Sequence, residues 1–236
     1  MNDLSRHPVR DGFRQRGSEI TRLETFTDAA FAFAVTVLVI AGGEVPDSFD
    51  ALWHSLEEIP AFAASFLLIM LFWHGHVQWS RRFGLEDTKS IVLSSVLIFF
   101  ILTYVVPLKI MTGQFFAWVS NGWLGVPFPL EDIRNLPRLF VLYGIGFTAM
   151  TLTMAGLNHY AWTLRAELQL DAREELLTRI ARNQWILLAV PGFISVMVAA
   201  LTGPRIGVWS GFAYMILPII MPIFGVRAGR QLKALD

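Results

Sequence analysis

Apolar residues along this chain gather into six blocks, set apart by short charged or Gly- and Pro-rich stretches. The first block runs from about Glu19 to Ala41. It carries Arg22, Glu24 and Asp28 at its front and then no charge from Ala29 to Gly43, a run of 15 residues. A helix rises about 1.5 Å per residue, so that run covers roughly 22 Å. A hydrocarbon core is about 30 Å thick and takes roughly 20 residues to cross. A spanning helix here must therefore draw Asp28, and Glu24 with it, to one membrane face. A carboxylate at that depth is costly unless partnered, which marks Asp28 as a candidate site residue.

A rotation of about 100° per residue sorts this helix into faces. Arg22, Phe26, Ala29, Phe33, Val37 and Ile40 share one face, with Thr36 on its edge. Asp28 lies to one side, below Ala32 and Thr36. Small side chains at Ala29, Ala30, Ala32 and Ala34 allow close approach of neighbouring helices.

Gly42-Gly43 and Pro46 end the first helix. The loop that follows holds Glu44, Asp47, Asp50, Glu57 and Glu58 and no Lys or Arg. Within it, the Asp47-Ser48 cap signal predicts a short interfacial helix over Phe49–Leu56. Later spans are predicted over about 60–79, 90–111, 136–160, 183–202 and 207–226. Thr112 to Asn135 is rich in Gly, Pro, Trp and Phe and reads as a loop on the outer interface. Leu164 to Arg182 alternates charge at helical spacing and reads as a cytoplasmic helical extension. Pro191-Gly192 predicts a kink, and Pro218 and Pro222 interrupt the last span. Residues 1–18, with Arg6, Arg10, Arg14 and Arg16, read as a mobile basic cytoplasmic tail. Residues 19–226 form the membrane domain and 227–236 a second cytoplasmic tail.

Composition agrees with this pattern. Only 16% of the 236 residues are charged and 54% are hydrophobic, against about 25% charged in a soluble domain. The fold class is an all-α membrane protein with six spans. Net charge is zero, which removes the broad basic field expected of a nucleic-acid binder. There is no cysteine, hence no disulfide, thiolate chemistry or Cys-ligated metal. The polar first 19 residues do not read as a cleavable signal peptide. Counting orients the spans. With both termini in the cytoplasm, 15 of the 19 Lys and Arg lie inside, and Lys109, Arg134, Arg138 and Arg205 lie outside.

Candidate chemistry is sparse. Asp28 and Arg22 suit either an interfacial ion pair anchoring a helix end or a place on an ion path. His74 and His76 diverge by about 200° on a helix and make a poor metal pair. A hydrogen bond from a histidine to Asp28 fits better, with His76 the better candidate. Gly203, Gly207 and Gly211 permit close packing without naming a function. No GxSxG, GxxxxGK[ST] or HExxH signature occurs, so enzymatic chemistry has little support. Nor does a TVGYG-like carbonyl filter.

The run Arg22-x-x-x-Phe26-Thr27-Asp28 resembles the Arg-x-x-x-Phe-Ser-Asp motif of the transmembrane protein 175 family of lysosomal and bacterial potassium channels. Trp73 and His76 resemble that family's W-x-x-H pattern on the second helix, and Pro107 stands similarly near the end of the third. The resemblance implies a non-canonical potassium channel without a P-loop filter. It implies a homotetramer whose first helices line a central pore, in a bacterial cell membrane. Carried over, the constriction is Phe33, Val37 and Ile40, with Phe33 where Ile or Leu is usual, and Thr36 forms a polar ring. Arg22, Phe26, Thr27, Asp28, Trp73 and His76 form the motif network at the inner end. Potassium is the permeant ion, the bilayer is the surrounding partner, and no cofactor or nucleic acid is implied. A secondary transporter, which needs a polar site at mid-depth, and a non-conducting membrane scaffold are the competing classes.

Overall fold

The computed structural model describes residues 7–41, 45–125 and 132–235. The Gly42-Gly43 stop, Glu44 and Arg6 lie outside the described residues. Within them the chain is almost wholly helical, and six helical segments are long and apolar enough to cross a membrane. They are α1 (Arg22–Ile40), α3 (Ile59–Phe83), α4 (Thr88–Val119), α5 (Leu136–Thr163), α6 (Ala172–Leu201) and a broken last segment, Pro204–Lys233.

Side-chain caps open three of the helices. Thr21 accepts from the Glu24 amide to open α1, and Ser48 accepts from the Ala51 amide to open the short α2 (Phe49–Glu57). Asp171 and Glu174 close a reciprocal capping box at the head of α6. Gly84, with φ of 59°, ends α3 in the left-handed conformation that glycine adopts without strain.

The core runs up the middle of the bundle. Leu97, Ile101, Val105 and Leu108 of α4 are buried against Phe147, Met150, Met154 and Leu157 of α5 and Ile69 and Phe72 of α3. Trp185 of α6 stacks on Phe72 with centroids 5.4 Å apart. The buried Trp79 indole donates to the Leu157 carbonyl at 2.9 Å, so its polar atom is satisfied in an apolar setting. α5 and α6 form the most extensive helix pair, and α4 packs on α1, α3 and α5.

Three expectations change. First, Thr112 to Val119 is not loop but the last turns of α4. Lys109, counted among the cations outside the membrane, is buried and pairs with Glu58 at 3.2 Å. Neutralised there, it lets the helix run on. Thr112 helps by donating back to backbone carbonyls and meeting Ser65 at 2.7 Å. Second, the last span breaks into α7 (Pro204–Gly207), a 3-10 stretch (Ser210–Ile216) and α8 (Leu217–Lys233). The break precedes Pro218, which occupies the first turn of α8, where a missing amide hydrogen costs nothing.

Third, residues 7–18 are docked rather than a free tail. Val9–Arg10 (β1) and Phe13–Arg14 (β2) form an antiparallel hairpin. Asp11 and Gly12, at φ of 53° and 72°, make its two-residue turn. Phe13 is fully buried, edge-on to Phe83 at 5.4 Å. Arg14 and Arg16 both reach the buried carboxylate of Glu174, at 3.2 and 2.7 Å. Gly17 hydrogen-bonds the Arg81 carbonyl, and a Cβ on Gly17 would sit 2.5 Å from the Ser80 carbonyl oxygen.

Candidate pore helix and its anchoring network

α1 has two faces with different fates. Glu24, Thr27, Phe31, Ala34 and Leu38, at helical spacing, are buried against the rest of the chain. The opposite face carries Arg22, Phe26, Ala29, Phe33, Thr36 and Ile40. Of these, Phe26, Phe33 and Ile40 are 61%, 59% and 69% exposed in the single chain. Val37 sits on the flank, half-buried, packed against the core. The Thr36 side chain is exposed, and its hydroxyl donates to the Ala32 carbonyl at 3.0 Å.

The N-terminal end of α1 is tied down by a different set of contacts from the one expected. Asp28 accepts from the Trp73 indole Nε1 at 2.9 Å. The expected His76–Asp28 bond is replaced: His76, 1% exposed, pairs through Nε2 with Ser94 of α4 at 2.9 Å. His76 points into the α3–α4 interface, one turn along from Trp73, and the indole has the reach to Asp28. Thr27 is buried and donates to the Leu23 carbonyl at 2.8 Å, so its hydroxyl serves the helix itself. Arg22 is exposed, and among the described residues it makes no ion pair with Asp28.

The acid that does pair is Glu24, 3% exposed, held by Arg81 Nε at 3.0 Å. Arg81 also donates to the Gly17 carbonyl at 3.4 Å. One guanidinium thus joins α1, α3 and the segment after the hairpin. The Arg81-Arg82 pair at the end of α3 was the available sequence signal. Its partner is not legible in the sequence, because Glu24 and Asp28, one turn apart on α1, are both candidate acids.

Among the described residues no group of three or more His, Cys, Asp or Glu could hold a metal ion. His74 instead meets Gln78, one turn along the same helix, at 2.7 Å. Trp73 and His76 belong to one belt only loosely. Each ties α3 to a different neighbour.

With this geometry in place, comparison with known proteins gives a consistent picture. Residues 22–107 match the family model described as endosomal/lysosomal potassium channel TMEM175. A protein of Marivirga tractuosa described as a potassium channel is 32% identical over 233 residues, covering 94% of this chain and 93% of its own. The crystal structure of a threonine-to-alanine variant of the potassium channel MtTMEM175, bound to a nanobody–MBP fusion, superposes with a TM-score of 0.80. It is 28% identical, and the match covers 94% of this chain and 99% of that one. These relatives are ion channels and not enzymes. The chain belongs to the TMEM175 potassium-channel family.

Proposed function

We propose that the protein conducts potassium passively across the cell membrane, through a central pore formed where copies of α1 meet in a homotetramer. The observation that carries this is the division of α1 into a face buried in its own bundle and an uncovered face bearing Phe33, Thr36 and Ile40. In a tetramer the uncovered faces converge on the symmetry axis. Phe33, Val37 and Ile40 then form an apolar neck, with Thr36 as a polar ring one turn from Phe33. Both termini lie on the cytoplasmic side in this arrangement, in keeping with the excess of Lys and Arg there.

An apolar neck passes ions only when it is wide enough to wet. An ion that sheds water in the neck does so at lower cost if it is weakly hydrated, which favours potassium over sodium without a cage of carbonyls. Asp28, Trp73, Glu24 and Arg81 hold the inner end of α1, so the width of the neck is set by where α1 sits on its own bundle. No cofactor enters this reading.

The test is potassium flux and reversal potential in liposomes holding purified protein. Phe33→Ala is expected to raise flux and lower the preference for potassium over sodium, and Ile40→Asn to do the same by wetting the neck. Unchanged flux and selectivity in both variants would remove the neck from these residues. Saturable flux coupled to a second solute, in place of a gradient-set reversal potential, would instead support a transporter.

A further inference from the structure

Trp162, near the end of α5, lies under two guanidinium groups. Arg165 stands 4.4 Å from its ring centroid and Arg182 of α6 stands 5.8 Å from it. His159 stacks on the same ring at 6.1 Å. Arg165 is the first charge after the uncharged run from Leu139 to Leu164, and Arg182 is the last before the uncharged run from Asn183 to Pro204. Both cations therefore sit at the edge of the apolar spans, at one depth, brought together by the α5–α6 pairing. Indole rings favour that level of a bilayer, and guanidinium groups stack on them readily.

This cluster has donors and lacks anions. Arg165 reaches only the Trp162 carbonyl, at 3.3 Å, and Arg182 only the Asn183 side-chain oxygen, at 3.1 and 3.0 Å. Neither is paired with a carboxylate among the described residues, whereas Arg14, Arg16 and Arg81 on the same side of the bundle all are. The enclosed Trp162 Nε1 has no acceptor either. Two cations sharing one ring repel each other, and an anion between them removes that cost. From this juxtaposition we infer that the Trp162–Arg165–Arg182 cluster is a binding site for the phosphate of an anionic phospholipid headgroup. A phosphodiester supplies acceptor oxygens for both guanidiniums, and acyl chains lie along the exposed apolar surface of α6 at Ile186 and Val190. A free phosphate shares the headgroup chemistry but has no use for that apolar surface.

The test is lipid retention by the purified full-length protein in detergent, read by native mass spectrometry and by thermal shift during titration with phosphatidylglycerol or phosphatidylcholine. The wild type is expected to retain phosphatidylglycerol, and Arg165→Gln/Arg182→Gln to retain it roughly tenfold or more weakly. Phosphatidylcholine, whose choline offsets the charge of the same phosphodiester, should be retained more weakly than phosphatidylglycerol by the wild type and should lose less in the variant. Arg227→Gln/Arg230→Gln, which removes equal charge from α8, should behave as wild type. Equal retention by the wild type and the Arg165/Arg182 variant would overturn the site, as would an equal loss in the α8 variant. Full displacement of the lipid by millimolar inorganic phosphate would assign a free-anion site and overturn the lipid reading. If the double variant does not fold, Arg165→Gln and Arg182→Gln singly, each expected to weaken retention about threefold or more, make the same comparison.

Discussion

Arg81 holds Glu24 at 3.0 Å, and through it the last turn of α3 fixes the first turn of α1. Glu24 is 3% exposed while the Arg81 side chain is 34% exposed, so the acid is the partner that cannot return to water. Removing the cation leaves a buried carboxylate alone, which costs about 3–5 kcal/mol for a fully enclosed pair. Solvent reaches Arg81 and lowers the expected loss to about 1–3 kcal/mol. Arg81→Ala should therefore lower the thermal midpoint of the detergent-solubilised protein by several degrees, and Glu24→Gln should lower it less. Equal midpoints for wild type and Arg81→Ala would show that the pair contributes no stability.

The docked hairpin gives a second expectation. Phe13 has no exposed surface, and truncating such a ring costs about 3–5 kcal/mol. The hairpin has few other apolar anchors, so Phe13→Ala should release residues 7–18 rather than unfold the bundle. Limited trypsin digestion reads this directly. Cleavage at Arg10, Arg14 and Arg16 should accelerate at least tenfold in the variant, with the spans intact. Unchanged cleavage would mean that the ion pairs to Glu174 hold the hairpin alone.

Arg14 also pairs with Asp171 at 2.5 Å, and this second ion pair makes docking sensitive to acid. Burial raises the Asp171 carboxyl, but the Glu174 amide and the Arg14 guanidinium outweigh it and hold the group below its ordinary value. A depressed carboxylate adds stability that is full above the unfolded value, about 3.9, and is lost as pH falls through the folded one. The advantage of wild type over Asp171→Asn in thermal stability should thus be constant from pH 7 to about pH 5 and shrink below about pH 4. An advantage that persists unchanged at pH 3 would contradict the pairing. The Asp171 side chain is half exposed, at 51%, so the effect is small beside that of Phe13.

These examples show what was legible in the residues and what was not. The six spans followed from long uncharged runs, whose reason is simply that hydrocarbon excludes charge. The length of α4 did not, because Lys109 looks like a terminus until Glu58 is seen beside it. The hairpin has one local signal in the sequence. Asp11-Gly12 is the dipeptide that favours a two-residue turn with positive φ at both positions. Strands of two residues have no periodicity to support it, and the glutamate that pins it lies 160 residues away. The exposed face of α1 could be drawn from angles alone. The partners of its acids could not, since periodicity fixes a direction on one helix and says nothing about which neighbour stands there.

Asp28 offers the sharpest separation between holding the pore helix and serving the ion path. Its Oδ1 accepts from the Trp73 indole at 2.9 Å, and an asparagine presents a carbonyl oxygen in the same place without the charge. Asp28→Asn should therefore keep the α1–α3 tie, and Trp73→Phe should break it by removing the donor. A lost hydrogen bond to a charged group costs about 1.5–3 kcal/mol, so Trp73→Phe and Asp28→Ala should both be less stable than Asp28→Asn. If the tie alone matters, potassium flux in liposomes stays near wild type in Asp28→Asn and falls in the other two. We expect that order, because Asp28 is half-buried at the side of α1 and not on the face that carries Phe33 and Ile40. A flux that drops in Asp28→Asn as far as in Asp28→Ala, with stability kept, would make the charge itself part of the conduction route.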